Sequence, residues 1–220
     1  MLVTARLISS DSISMSRMEY MVDRSITMDD VAGRSRVQAL VMTDANKALK
    51  VARAIRHPWY RCQSLSTVAE HWGTAAQRMA VLNEAVRAAE EQAEINRIVT
   101  VASWPLRVMA SIDADATSRH LRRMVELANQ EAHTLRRADA LFSLAGAVSD
   151  RRELLAKVVP SLAESLLQSY GWRTDRLIEF SVDLVKAVMP EVLGALVAHH
   201  RPGRKKQRLE DSLAANPSAL

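Results

Sequence analysis

A pattern anchored on an arginine recurs four times in this chain, and it restricts the possible folds more than any other feature. The anchors are Arg61, Arg97, Arg137 and Arg173, separated by 36, 40 and 36 residues. The side chains four, seven and eleven residues after each anchor are apolar: Leu65, Val68 and Trp72; Val101, Trp104 and Val108; Leu141, Leu144 and Val148; Leu177, Phe180 and Leu184. These intervals place three apolar side chains on one face of a helix. A repeat of this length predicts helical hairpins that stack and bury a shared core.

The amino-acid composition favours an all-helical protein. Hydrophobic residues make up 48% of the 220 residues, aromatic residues only 4%, and there are six glycines and six prolines. The most frequent residue types are mostly helix formers, and runs that favour strands are few. We therefore predict an all-α protein, built as a short α-solenoid with one hairpin for each of the four anchors. A non-repetitive helical bundle is the alternative.

Turn residues mark the boundaries of the predicted hairpins. Pro58 separates a first helix, Ala45–Arg56, from the recurring helix Trp59–Trp72. The residue before a proline avoids the helical conformation, and proline itself suits the first turn of the next helix. Gly73 is predicted to end that helix in a left-handed conformation. Pro105 falls inside the second recurring helix, which is therefore predicted to kink or restart there.

The two ends of the chain differ from its middle. Residues 1–42 are rich in Ser, Met and Asp and show no sustained helical period. We predict a weakly ordered leader there and a helical-repeat domain over residues 43–200. Residues 201–220 carry five cations and two anions, which is +3 of the whole chain's net charge of +5. The cations are Arg201, Arg204, Lys205, Lys206 and Arg208. This charge run, with its prolines and glycine, predicts a flexible basic tail.

The recurring pattern resembles the α-solenoid superfamily, in particular its HEAT-like and TPR-like helical hairpin repeats. The resemblance covers Asp44–His200 and rests on the four anchor arginines with their apolar positions. The TPR pattern W-x-x-L-G-x-x-Y followed by A-x-x-x-F does not occur in order, so the resemblance concerns architecture and assigns no exact family. It implies an extended surface that binds other proteins or peptides.

Two functional hypotheses follow. The first is a non-enzymatic scaffold or adaptor that binds a protein or peptide on its concave face. The candidate contact residues are Tyr60, Arg61, Arg97, Arg137, Trp172 and Arg173. For the arginines a structural role is the alternative, because a guanidinium in the first turn of each recurring helix can bond the carbonyl end of the preceding helix. The second hypothesis is nucleic-acid binding through the cations of residues 201–208, which would attract phosphates.

Residue patterns typical of enzymes and cofactor sites are missing from the sequence. It contains no glycine-rich phosphate loop and no nucleophile motif. Cys62, the single cysteine, is predicted to be a buried structural thiol. His57 and His133 are predicted to cap helices rather than to bind a metal. No stretch resembles a membrane span or a secretory signal, so we expect a cytoplasmic protein without a cofactor.

Overall fold

The structure is a computed structural model that describes residues 25–215. Every regular element in that range is helical, and the range contains no strand. The α-helices are α1 (Met28–Leu40), α2 (Ala45–Ala54), α3 (Pro58–His71), α4 (Ala75–Glu90), α5 (Ile95–Ala110), α6 (Ala114–Ala128), α7 (Thr134–Ala147), α8 (Arg152–Leu155), α9 (Val159–Leu167), α10 (Trp172–Val188), α11 (Leu193–His199) and α12 (Arg204–Ala214). A short 3-10 helix, Pro190–Val192, precedes α11. The predicted all-α class is confirmed.

The four recurring helices, α3, α5, α7 and α10, lie next to one another in chain order. Each packs against the helix that leads into it, which is α2, α4, α6 or α9. Three of these leading helices also contact the previous recurring helix: α4 contacts α3, α6 contacts α5, and α9 contacts α7. α10 ends the row, and it meets α7 over a shorter stretch than α5 does. This arrangement leaves space between α7 and α10.

Local sequence sets both ends of α3 as predicted. Nδ1 of His57 accepts a hydrogen bond from the N–H of Trp59 at 3.2 Å, and Pro58 is the first helical residue. After the helix, Gly73 has a φ of +91°, the left-handed conformation that glycine adopts without steric cost.

α5 continues through Pro105, so the predicted restart of this helix is wrong. Pro105 has no N–H, and the carbonyl of Val101, four residues earlier, therefore loses its partner within the helix. The thiol of Cys62 on α3 lies 3.5 Å from that carbonyl oxygen and donates to it. A contact from the neighbouring helix thus satisfies the group that the proline leaves unpaired.

The predicted leader is helical in its described part. Residues 1–24 lie outside the described range, but Met28–Leu40 forms α1. Thr27 and Asp30 form a capping box at its start, and buried Asp30 also accepts the N–H of His57 at 2.9 Å. α1 approaches α2 closely, because a Cβ added at Gly33 would lie 2.9 Å from Ile55. The hydrogen bonds of Asp30 and the close approach at Gly33 position α1 on the protein. The helix therefore depends less on an apolar face, and its sequence lacks a strong apolar period.

The predicted flexible tail is also helical, over Arg204–Ala214, while residues 216–220 lie outside the described range. α12 packs on α11, and its Leu213 contacts the hydrophobic core. Nζ of Lys205 bonds both carboxylate oxygens of Glu179 on α10, at 2.9 and 3.0 Å. The charge run therefore has acidic partners on the body of the protein.

Candidate binding groove

One column of the repeat, which is a position found at the same distance after each anchor arginine, is only partly buried. Seven residues after the anchor arginine, Val68 and Leu144 are fully buried, as a core position should be. In the other two copies, Trp104 and Phe180 are 41% and 52% exposed. The prediction that this column packs throughout is therefore wrong at Trp104 and Phe180. Two large aromatic side chains lie at the surface of the recurring helices instead.

Phe180 belongs to a groove of about 470 Å³ between α7 and α10. Its walls combine aromatic side chains with charged ones: Asp139, Phe142, Trp172, Arg173, Arg176 and Phe180. A concave surface of this size with an apolar base and a few polar groups is typical of a binding site.

The aromatic part of the groove is a pair of phenylalanine rings. Phe142 on α7 and Phe180 on α10 are the only phenylalanines of the chain, and their centroids lie 6.4 Å apart at an interplanar angle of 29°. Trp172, at the start of α10, is 59% exposed beside them. Contiguous exposed aromatic surface of this kind is unusual unless it serves an interaction.

Two arginines stand over these rings. The Cζ atom of Arg173 lies 5.3 Å from the ring centroid of Trp172, and that of Arg176 lies 5.2 Å from the centroid of Phe180. Within residues 25–215, no carboxylate oxygen comes within 4.0 Å of either guanidinium group. Both arginines are therefore held by cation–π contacts while their hydrogen-bond donors stay available.

Asp139 adds one acidic group to the α7 wall. Desolvation raises the pKa of its carboxyl, and the positive charge of Arg173 partly opposes that effect. The groove thus offers aromatic surface, two guanidinium groups and a carboxylate, an arrangement that can recognise a ligand but contains no nucleophile paired with a base.

Among the predicted contact residues, only Trp172 and Arg173 belong to this groove. Arg61 instead donates to the carbonyl oxygens of Ile55 and Arg56, at 3.2 and 3.1 Å, and forms an ion pair with Glu91. This is the structural role given as the alternative, since those carbonyls follow the end of α2. Arg61 joins hairpins rather than lining a site.

The other two anchors have different surroundings. Arg137 on α7 donates from Nε to the hydroxyl of Ser165 on α9 at 2.9 Å, and it also bonds Gln168. It therefore reaches a later helix, α9, rather than the preceding one. Arg97 is exposed and pairs with Glu94 at 3.4 Å, three residues earlier. The four anchors do not converge on one surface.

Tyr60, a predicted contact residue, is half-buried at the other end of the row. The guanidinium of Arg34 on α1 lies 5.2 Å from its ring centroid, and the ring of His57 meets it edge-on at 5.7 Å. α1 covers this tyrosine, and no local sequence pattern predicts the position of that helix.

The basic residues after α11 are largely used within the protein. Nε of Arg201 bonds Asp175 at 2.5 Å, Lys205 pairs with Glu179, and Lys206 donates to the carbonyl of Ala198 at 2.8 Å. Two cations, Arg204 and Arg208, are exposed without an ion-pair or hydrogen-bond partner in the described part of the chain. The proposed nucleic-acid contacts are therefore reduced to two free groups.

A second cavity of about 580 Å³ lies between α10 and the start of α12. Trp172 and Arg176 line it as well as the first groove, and Arg204 and Lys205 form its far wall. The two cavities therefore meet at Trp172.

The remaining candidate groups have structural surroundings. Burial strongly raises the pKa of the Cys62 thiol. His57 and His133 each accept a backbone N–H at the start of a helix, as predicted. Within residues 25–215, no cluster of three or more His, Cys, Asp or Glu side chains has the geometry to hold a metal ion. None of the helices described here has the length and apolar character needed to cross a membrane.

Sequence reasoning missed Phe142, Arg176 and Phe180. The rarity of phenylalanine in this chain was one available signal, and the four-residue interval between Arg176 and Phe180 was another, because it places both on one helix face. Their meeting with Phe142 depends on how α7 and α10 pack.

Comparisons of the chain with protein-family models, with curated proteins and with solved structures found no match. The geometry of the groove is therefore the basis for a functional conclusion.

Proposed function

We propose that this protein is a non-enzymatic scaffold that binds a segment of another protein in the groove between α7 and α10. One observation carries the proposal: Phe180, paired with the partly buried ring of Phe142, and the neighbouring Trp172 are exposed, and each has an arginine over its ring that lacks a carboxylate partner within residues 25–215. The α-solenoid resemblance of the sequence supports the same class of function, because stacked hairpins present extended binding surfaces.

The energetics of the exposed rings favour an interaction role. A phenylalanine side chain contributes roughly 150–250 Å² of surface, and about half of Phe180 is exposed. At ~25 cal/mol per Å², covering the exposed part with an apolar side chain gains about 2 kcal/mol. Trp172 adds a second surface of similar size. Few exposed positions offer this gain, so such pairs are the usual anchors of interfaces.

Nucleic-acid binding through residues 201–208 receives less support. Three of its five cations are bonded to Asp175, Glu179 and the carbonyl of Ala198. Binding a phosphate backbone would require breaking these contacts or relying on Arg204 and Arg208 alone. Affinity for nucleic acid grows with the number of phosphates neutralised, so two free cations give little.

The groove is tested by Phe180→Asp. A carboxylate at this position would be buried against the apolar side chain of a partner, which is unfavourable. The variant is therefore expected to lose proteins that the wild-type chain captures from a cell extract. Quantitative mass spectrometry of the captured proteins measures this loss. The matched control is Met42→Asp, which charges a side chain that is 75% exposed in the turn after α1, at the other end of the row. Circular dichroism checks that both variants keep their helix content.

The proposal predicts a set of captured proteins that Phe180→Asp loses and Met42→Asp keeps. Capture of the same proteins by the wild type and Phe180→Asp would show that the groove is not the binding surface.

A further inference from the structure

Building on the proposed function, we infer that the bound segment is acidic, inserts one large apolar side chain between α7 and α10, and continues across Trp172 into the cavity between α10 and α12. The kind of partner follows from the charges that surround the two cavities and from the ring pair at the base of the first.

The anchor position is the Phe142–Phe180 pair. The two rings lie nearly parallel, at 29°, with centroids 6.4 Å apart, and Phe180 keeps half of its surface open. An incoming aromatic or long aliphatic side chain can cover this face and make the same kind of ring contact. A short polar side chain would leave the rings exposed to water and would bury no apolar surface.

The cations around Trp172 define the charge of the segment. Within the part of the chain that the structure describes, Arg173 and Arg176 lie over aromatic rings without a carboxylate partner, and Arg204, on the opposite wall of the second cavity, is also unpaired. Arg201 and Lys205 are neutralised by Asp175 and Glu179. Three free guanidinium groups therefore surround one exposed tryptophan.

A guanidinium group pairs best with a carboxylate, which accepts two parallel N–H bonds. The contact with a ring restricts each guanidinium group before the ligand arrives, so less side-chain freedom is lost on binding. Aspartate or glutamate residues next to the apolar anchor of the segment are the groups that fit.

A single-stranded nucleic acid would also stack on these rings, but the acidic side chains of the two cavities disfavour it. Asp139 lines the first cavity, and in the second cavity Asp175 and Glu179 neutralise Arg201 and Lys205, which interrupts the row of free cations. A nucleic acid carries one phosphate for every base and needs a continuous row of cations. A peptide can place its acids beside the arginines and its amide N–H groups beside Asp139.

The experiment is a selection of random peptides displayed on phage against the full-length protein, followed by affinity measurements on the synthesised winners. We expect the winners to combine an aromatic or large aliphatic residue with neighbouring Asp or Glu. The double variant Arg173→Gln, Arg176→Gln is expected to weaken binding about tenfold for each arginine replaced, because each loses a charge-assisted hydrogen bond.

The matched control replaces two exposed arginines of α6 that have no described partner and lie outside both cavities, Arg119→Gln and Arg122→Gln. It removes the same charge from the chain and is expected to leave affinity unchanged. Arg204→Gln tests the extension into the second cavity and is expected to reduce affinity severalfold. Full affinity in this variant would restrict the segment to the first groove and overturn that extension.

The outcomes separate this inference from the proposed function. If selected peptides depend on Phe180, shown by lost binding to Phe180→Ala, and yet show no enrichment in Asp or Glu, the inference that the partner is acidic would be overturned. The groove would still be a peptide-binding site. If no winner depended on Phe180, both would fail. A fluorescent oligo-dT strand whose binding requires Phe180 and displaces the winners would assign the groove to nucleic acid.

Discussion

The contact between Cys62 and Val101 explains how a proline is accommodated inside a core helix. The carbonyl of Val101 is the one that Pro105 cannot bond, and the thiol of α3 reaches it at 3.5 Å. Burial raises the pKa of this thiol, so it stays protonated and remains a donor at neutral pH. A residue that could pass for a nucleophile therefore acts as a hydrogen-bond donor between two helices.

This contact predicts coupling between two substitutions. Cys62→Ala is expected to lower the free energy of unfolding by about 1–3 kcal/mol, because a buried carbonyl is left unsatisfied. In a Pro105→Ala background the same change should cost less, since the backbone N–H restored at position 105 can bond Val101. Urea unfolding of the four proteins, followed by circular dichroism, measures this coupling. An equal cost in both backgrounds would show that the thiol does not serve this carbonyl.

Among the helices, α12 packs on α11, and two carboxylates of α10 add to that packing: Asp175 bonds Arg201 just before α12, and Glu179 pairs with Lys205 in its first turn. Burial by itself would raise the pKa of Asp175, but the hydrogen bonds from Arg201 and the charges of His200 and Arg201 lower it overall. The same balance, with Lys205 and His200 as partners, lowers the pKa of Glu179. Both carboxylates are therefore favoured in the charged form when Arg201 and Lys205 contact α10.

The lowered pKa values fix the direction of a pH effect. The stabilisation is fully present above the unfolded pKa values of about 4 and is lost as the pH falls through the lower folded values. Asp175→Asn removes the stabilisation that the charged Asp175 carboxylate contributes at neutral pH, which is about 1 kcal/mol for a partly exposed ion pair. A loss of this size corresponds to about fivefold faster amide exchange in α12. Hydrogen exchange followed by mass spectrometry as a function of pH measures both effects.

Asp183→Asn is the control for this prediction. Asp183 lies on the same helix, is exposed and has no ion-pair partner among the described residues. Its replacement should leave exchange in α12 unchanged. Equal acceleration in both variants would mean that helix charge in general, rather than the Asp175–Arg201 contact, holds α12.

At the scale of the whole molecule, helices contact their neighbours in chain order, and α3 and α10 are separated by α5 and α7. Stability in such an arrangement is expected to depend on neighbouring interfaces rather than on one central core. The groove between α7 and α10 should therefore tolerate damage at the other end of the row.

A cavity made in α3 tests this expectation. Leu65→Ala removes a side chain that is 2% exposed and should cost about 3 kcal/mol. Protection from hydrogen exchange is expected to fall mostly in α2, α3 and α4, while α10 stays protected and peptide binding in the groove is retained. The mirror variant, Ile178→Ala on α10, should give the opposite distribution. Equal loss of protection along the whole chain would show that the protein unfolds as a single unit.

Local sequence patterns were enough to predict the helical class, the recurring helices and several of their ends. The four-, seven- and eleven-residue intervals after each anchor, Pro58 and Gly73 are local signals, because capping and helix periodicity act within one turn or two. The predicted restart at Pro105 was wrong because the relevant contact is not local. The carbonyl of Val101, which Pro105 leaves unpaired, accepts a hydrogen bond from Cys62, 39 residues away along the chain.

Packing between helices sets which apolar positions belong to the core and which form the groove. Val68 and Phe180 occupy the same column of the repeat, yet the first is buried and the second is half open. Burial depends on which neighbouring helix covers a position, and α10 lies at the end of the row. The ring pair with Phe142 and the ion pair between Glu179 and Lys205 likewise arise from packing between elements distant in sequence, which no local pattern specifies.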